Sequence, residues 1–157
     1  ALGVEERGEE LASALEAEIV EHTSVRPDEE RPTVIALYLR GASTQLVLGE
    51  ESATHWLIEA AGGVDGADAL NVETATPIAP EAILNLAPDV ILVPSAGLDS
   101  VGGVEGLMEV GGIGQTPAGL NGNIVAYDDQ LLLGNGPRTG TLLADLAAAL
   151  DIVESNP

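Results

Sequence analysis

"TVIALYL", residues 33 to 39, carries no charge and is built almost wholly from β-branched and bulky apolar side chains. A strand with one wet face alternates apolar with polar residues. An unbroken apolar run predicts instead a strand buried on both faces, as in a parallel sheet covered by helices on either side. "DVILV", residues 89 to 93, repeats the pattern, and "NIVAY", residues 123 to 127, follows the turn signal Asn121-Gly122 as a shorter third strand.

Helical patterns surround these runs. Leu11, Ala12, Leu15 and Ile19 recur at helical spacing among glutamates, predicting an amphipathic helix over roughly residues 4 to 22, followed by the charged link "HTSVRPDEERP". Ser52 is placed to cap a helix with Ala53, Trp56, Leu57, Ala60 and Ala61 on one face, stopped by Gly62-Gly63. Pro80 and Glu81 open another, which Pro88 closes, and a short helix is expected over 104 to 110. The last begins at Pro137 and runs toward residue 153 with Leu142, Leu143, Leu146 and Leu150 inward. Strands alternating with helices define an α/β class, here a three-layer Rossmann-like lobe with a mainly parallel sheet flanked by helices. Such sheets bind ligands at the carboxyl ends of their strands, so the loops at 40–45, 94–103 and 128–137 are expected to carry the site.

Charge narrows the partners. The chain holds 26 Asp and Glu against five basic residues, all arginine, for a formal charge of −21 and a pI near 4.1. Nucleic acid and anionic membrane surfaces repel such a protein. Disorder is excluded by composition, because the chain is 45% hydrophobic with a mean hydropathy of +0.23. At ~1 M salt the Debye length falls to about 3 Å and the self-repulsion is screened. The acid excess, the absence of lysine and the small-residue bias resemble haloarchaeal proteins, and we expect a protein adapted to concentrated salt. At 157 residues one core is expected. With no cysteine, disulfides, thiolate nucleophiles and thiolate metal sites are unavailable. No apolar run reaches the ~18 residues of a membrane span, and no signal peptide pattern is visible. Starting at Ala1 within a helical pattern, the chain reads as a fragment or processed form.

Enzymatic signatures are few. A phosphate-binding Walker loop needs a lysine, and "GNGPRTG", residues 134 to 140, lacks G-x-G-x-x-G spacing. No G-x-S-x-G elbow occurs. His22 and His55 lie far apart without a neighbouring cysteine, so no metal cluster is expected; they read as a solvated helix end and an ordinary helix residue. Asp128-Asp129 suits either acid–base work or a solvated surface. Arg40 and Arg138, each close to glycine at a strand end or helix start, suit a ligand carboxylate or an internal ion pair, for Arg138 with Asp128 or Asp129.

"VIALYLRGAS", "LIEAAGGVDGAD", "PIAPEAILNLAPDVILV", "GVEGLMEVGGIGQTPAGLNGNIVAYDD" and "LLLGNGPRTGTLLADLAAAL" together resemble, in order, the C-terminal lobe of ABC-importer substrate-binding proteins. The similarity is greatest to the hemin-binding branch of the class that carries iron–siderophores, heme and cobalamin, and spans roughly residues 31 to 150. The resemblance implies two α/β lobes joined by a long helix, with the ligand between them. Residues 1–26 would be the end of that helix and its link, residues 27–157 the C-terminal lobe, and the N-terminal lobe would lie outside the chain. It further implies no enzymatic activity, no intrinsic cofactor, heme or an iron–siderophore as cargo, an ABC permease in the membrane as partner, and an extracytoplasmic, cell-surface location. Tyr38, Arg40, Ser43, Ser95, Asp129 and Asn135 fall at ligand-facing positions. Relatives with Ser-His-Gly after the first strand present a histidine to heme iron; Leu39-Arg40-Gly41 stands there in this chain, so Arg40 is expected to pair with a propionate or an anionic siderophore. The arginine that relatives carry after the second strand is replaced by Ser95-Ala96-Gly97. Glu59, with Glu50 and Glu51, is the expected permease-docking set, and Arg138 is expected to hold the last loop. The alternative is a small α/β nucleotide- or phosphate-binding enzyme domain using Asp128, Asp129 and Arg138, and a third reading is a domain that docks only to proteins.

Overall fold

The computed structural model describes residue 17, residues 27 to 134 and residues 137 to 154. The helix expected over roughly residues 4 to 22 lies outside them except at Ala17, as does Asn135. Strand β1, Thr33–Arg40, is the axis of the sheet. On one edge it pairs in parallel with β5, Val90–Pro94, in the register Val34↔Val90 to Ala36↔Leu92. Its other edge is divided: β3, Val64–Asp65, runs parallel beside its first residues, and β2, Thr44–Leu48, runs antiparallel beside Leu37 to Arg40. Beyond β5 lies parallel β6, Ile124–Tyr127, and beyond β2 lies antiparallel β4, Ala75–Pro77.

The three expected strands are present within a residue of their expected bounds, while β2, β3 and β4 were not expected. The supposed loop 40–45 is a hairpin turn of residues 41 to 43. Gly41 takes φ 62 there, a left-handed conformation that lets the chain reverse at once instead of entering a crossover helix.

Residue alternation along β1 feeds two cores. Ile35, Leu37 and Leu39 join Ile91 and Val93 under α2 (Gly66–Leu70), α3 (Pro80–Leu86), α5 (Gly103–Met108) and α6 (Pro117–Asn121). Val34 and Ala36 join Val90 and Leu92 on the opposite face under α1 (Ala53–Ala60), α7 (Asp129–Leu133) and α8 (Thr139–Glu154). Leu142, Leu143, Leu146 and Leu150 all point into this second core, as their spacing predicts. The remaining helix, α4 (Ser95–Ser100), follows β5 directly. The last helix begins at Thr139 rather than Pro137. Ser52 holds the extended conformation of an N-cap, but its hydroxyl bonds Thr54 Oγ1 at 2.6 Å rather than a backbone amide.

Leu92 is fully buried in the middle of the sheet, so Leu92→Ala should cost about 2–5 kcal/mol in denaturant unfolding in molar KCl. Burial, with the Asp145 carboxylate nearby, pushes the Tyr127 phenol up to about 12. An unfolded tyrosine titrates near 10, so in the window from about pH 10 to 12 the folded state keeps a proton the unfolded state has lost. Stability is therefore expected to be intact below pH ~10 and to fall by about 2–3 kcal/mol across that window, with Tyr127→Phe flattening the fall.

Candidate functional site

The two ends of the sheet are built differently. At the amino end Asp89 ties strand starts together: its Oδ2 accepts from Thr33 N at 2.9 Å, its amide donates to Thr33 O at 2.8 Å, and its carbonyl accepts from Asn123 Nδ2 at 3.0 Å. At the carboxyl end the chain offers polar side chains instead. Arg40, the last residue of β1, places its guanidinium 4.6 Å from the centre of the Tyr38 ring, donates from Nη1 to Leu39 O at 3.0 Å and from Nη2 to Asp129 Oδ2 at 3.0 Å. The other oxygen of Asp129 accepts from Ala96 N at 3.1 Å. One carboxylate thus joins the ends of β1, β5 and β6.

A second stitch runs beside it. Ser100 Oγ accepts from Gly41 N at 2.9 Å and donates to Gly97 O at 2.6 Å. Gly97 lies so close to β1 that an added Cβ would sit 3.2 Å from Leu39 O. An open depression adjoins this turn, lined by Ala42, Gln45, Ser100, Val101, Gly106 and Glu109. Gln45 and Ser100 were missed from the sequence; only the hairpin, whose signal was Gly41, brings them to this edge.

The expected ligand-facing residues converge in part. Tyr38, Arg40 and Asp129 are in one contact chain, and Ser95 opens the helix whose second residue Asp129 holds. Ser43 is spent on its own turn, donating to Arg40 O at 3.2 Å. The ion pair expected between Arg138 and Asp128 or Asp129 does not form among the described residues: Asp129 binds Arg40, Asp128 caps α7 by accepting from Gln130 N at 3.0 Å and Leu131 N at 3.3 Å, and Arg138 is exposed. Sequence reasoning chose the arginine nearer in the chain, whereas the sheet brings the distant one close.

Glu59, expected with Glu50 and Glu51 for docking, is bonded within the lobe. Its Oε2 lies 2.6 Å from Arg31 Nη2, its Oε1 accepts from Asp65 N at 3.2 Å, and Arg31 also reaches Gly63 O. Glu51 accepts from Thr74 Oγ1 at 2.7 Å, and Glu50 is exposed. No described helix is long and apolar enough to cross a membrane.

The polar, arginine-bearing loops of this three-layer lobe lie at the carboxyl ends of its parallel strands, where open α/β sheets bind ligands. The chain belongs to the periplasmic binding protein family, which its residues 1–131 match. It is similar to the periplasmic heme-binding protein RhuT from Roseiflexus sp. RS-1, solved in apo form, at 43% identity and a TM-score of 0.90 over 98% of this chain and 59% of that one. The heme-binding protein HmuT is similar at 37% identity and a TM-score of 0.84, over 92% of this chain and 48% of that one. HmuT has also been solved with alanine replacing one histidine, one tyrosine, or an arginine two positions beyond that tyrosine. BhuT, solved in complex with two hemes, is similar at 27% identity and a TM-score of 0.81, over 98% of this chain and 59% of that one. The chain therefore spans 48–59% of the length of these relatives. No curated protein matches it.

Because Asp129 makes both the ion pair and the Ala96 bond, Asp129→Ala should cost about 1 kcal/mol and speed hydrogen exchange at the Ala96 amide, while Arg40→Ala costs less and leaves that amide protected. Denaturant unfolding and amide exchange by NMR check both.

Proposed function

We propose that the chain is the C-terminal lobe, residues 27–157, of a two-lobed extracytoplasmic binding protein that captures heme and delivers it to an ABC permease. The observation that carries this reading is the Tyr38–Arg40 pair at the carboxyl end of β1, in a lobe similar to that of heme-binding proteins. HmuT has been altered at a tyrosine and an arginine of the same spacing. Heme offers two kinds of handle, a ferric ion and two propionates. A phenolate oxygen is a known ligand of heme iron, and among the described residues the Tyr38 hydroxyl makes no hydrogen bond that would occupy it. Histidine is absent from the position of Arg40, but two residues earlier Tyr38 supplies an iron ligand. Arg40, whose side chain is 43% exposed, keeps donors for a propionate, and its guanidinium lies over the Tyr38 ring. Ser95 and Asn135 belong to the same proposed lining, and Arg138 leads into α8, its backbone carbonyl accepting from Leu142 N at 3.0 Å.

The lobe carries no cofactor of its own in this reading; heme is cargo. Glu50 and Glu51, outside the Arg31–Glu59 pair, are the acids left for permease docking. The acidic excess supports work in concentrated salt. Nothing in the family or its solved relatives supports the enzyme alternative.

Hemin titrated in molar KCl into the two-lobed protein should give a saturable Soret shift. Tyr38→Phe should change the ferric spectrum and, with Arg40→Ala, weaken binding at least tenfold, about 1.4 kcal/mol. A melting-temperature rise with an iron–siderophore or cobalamin and no Soret change would remove heme as cargo; stabilisation only by nucleotide would restore the enzyme alternative.

A further inference from the structure

His55, Asp65 and Asp68 are brought together by three consecutive elements: the first turn of α1, the end of β3 and the first turn of α2. His55 Nδ1 lies 3.0 Å from Asp65 Oδ2 and 3.5 Å from Asp68 Oδ1, and the three donor atoms all lie within 4.8 Å of one another. Neighbouring ligands on a tetrahedral shell with metal bonds of 2.0–2.2 Å are about 3.3–3.6 Å apart, close to the 3.0 and 3.5 Å found around Nδ1. No metal cluster is expected from the sequence, since its two histidines are distant. The fold supplies carboxylates instead of a second histidine.

We propose that His55, Asp65 and Asp68 bind one divalent transition-metal ion that fastens α1 to α2. Three features separate this trio from an ordinary surface pair of acids. Asp65 is fully buried, with Oδ1 fixed by Ala67 N at 3.0 Å, so Oδ2 is held in place without needing a metal to order it. Its amide donates to Glu59, which Arg31 anchors in turn, giving the ligand a rigid second layer. The third ligand is an imidazole nitrogen, which favours zinc and its neighbours over calcium or magnesium.

A divalent ion balances the two carboxylates. It takes the Nδ1 lone pair, and the Nδ1 proton is released to solvent or replaced by one on Nε2. His55 and Asp68, with 29% and 47% of their side chains exposed, form the side through which the ion enters. Val34, the β1 partner of Asp65, is six residues from Arg40, about 20 Å along the strand. The ion is therefore separate from the proposed cargo, and the inference does not depend on heme capture.

The test is competition between the EDTA-stripped full chain and a chromophoric chelator for Zn2+ in molar KCl with excess Mg2+, paired with thermal melts. One equivalent of Zn2+ should be withdrawn and the Tm should rise by several degrees. His55→Ala and Asp68→Asn should each weaken uptake at least tenfold, while Asp68→Asn melts near the parental temperature without zinc because its side chain is exposed. Uptake that is undiminished in both variants, displaced by Mg2+, or far below one equivalent overturns the proposal.

Discussion

Burial of β1 on both faces is the constraint on which the rest depends. Val34, Ile35, Ala36, Leu37 and Leu39 are at most 1% exposed, so their alternating side chains require helices on both sides of the sheet. A fully covered strand also needs its backbone groups satisfied by neighbours, since an unpaired buried amide is costly. β5 supplies one edge, and β2 and β3 divide the other. That division is why a largely parallel sheet has an antiparallel flank, and why Arg40 ends beside a tight turn instead of a long loop.

The same arrangement separates holding from binding. Asp89 and the Arg31–Glu59 pair fix the amino ends of the strands and the return from α1 into β3. At the carboxyl ends Asp129 joins three loops through a guanidinium and one amide, bonds weak enough to yield to a ligand. An incoming carboxylate is chemically equivalent to Asp129 and would compete for the same arginine. In the proposed reading, Arg40 is already held over Tyr38, which would lower the ordering cost of capture.

Of the chain's 26 acids, several are structural. Asp65 caps α2, Asp128 caps α7, Asp89 ties strand starts, Glu59 holds Arg31 and Asp129 holds Arg40. With so few basic residues, an acid that finds an arginine is placed by the fold. This is why Glu59, unremarkable among neighbouring acids in the sequence, is paired with Arg31.

The sequence by itself determined the α/β class, the buried strands at 33–39 and 89–93, the leucine face of the last helix and the position of Arg40 at a strand end, because each is written in local periodicity or in a glycine or proline beside it. It did not reveal β2, β3 and β4, which are too short for a period to stand out and which exist only because β1 needs neighbours. Nor did it reveal partners. Arg40 and Asp129 are 89 residues apart, and His55 meets Asp65 and Asp68 only after β3 turns back against β1. Tertiary structure decided these pairings, since charge attraction is settled by distance in space and the sheet sets that distance without regard to separation along the chain.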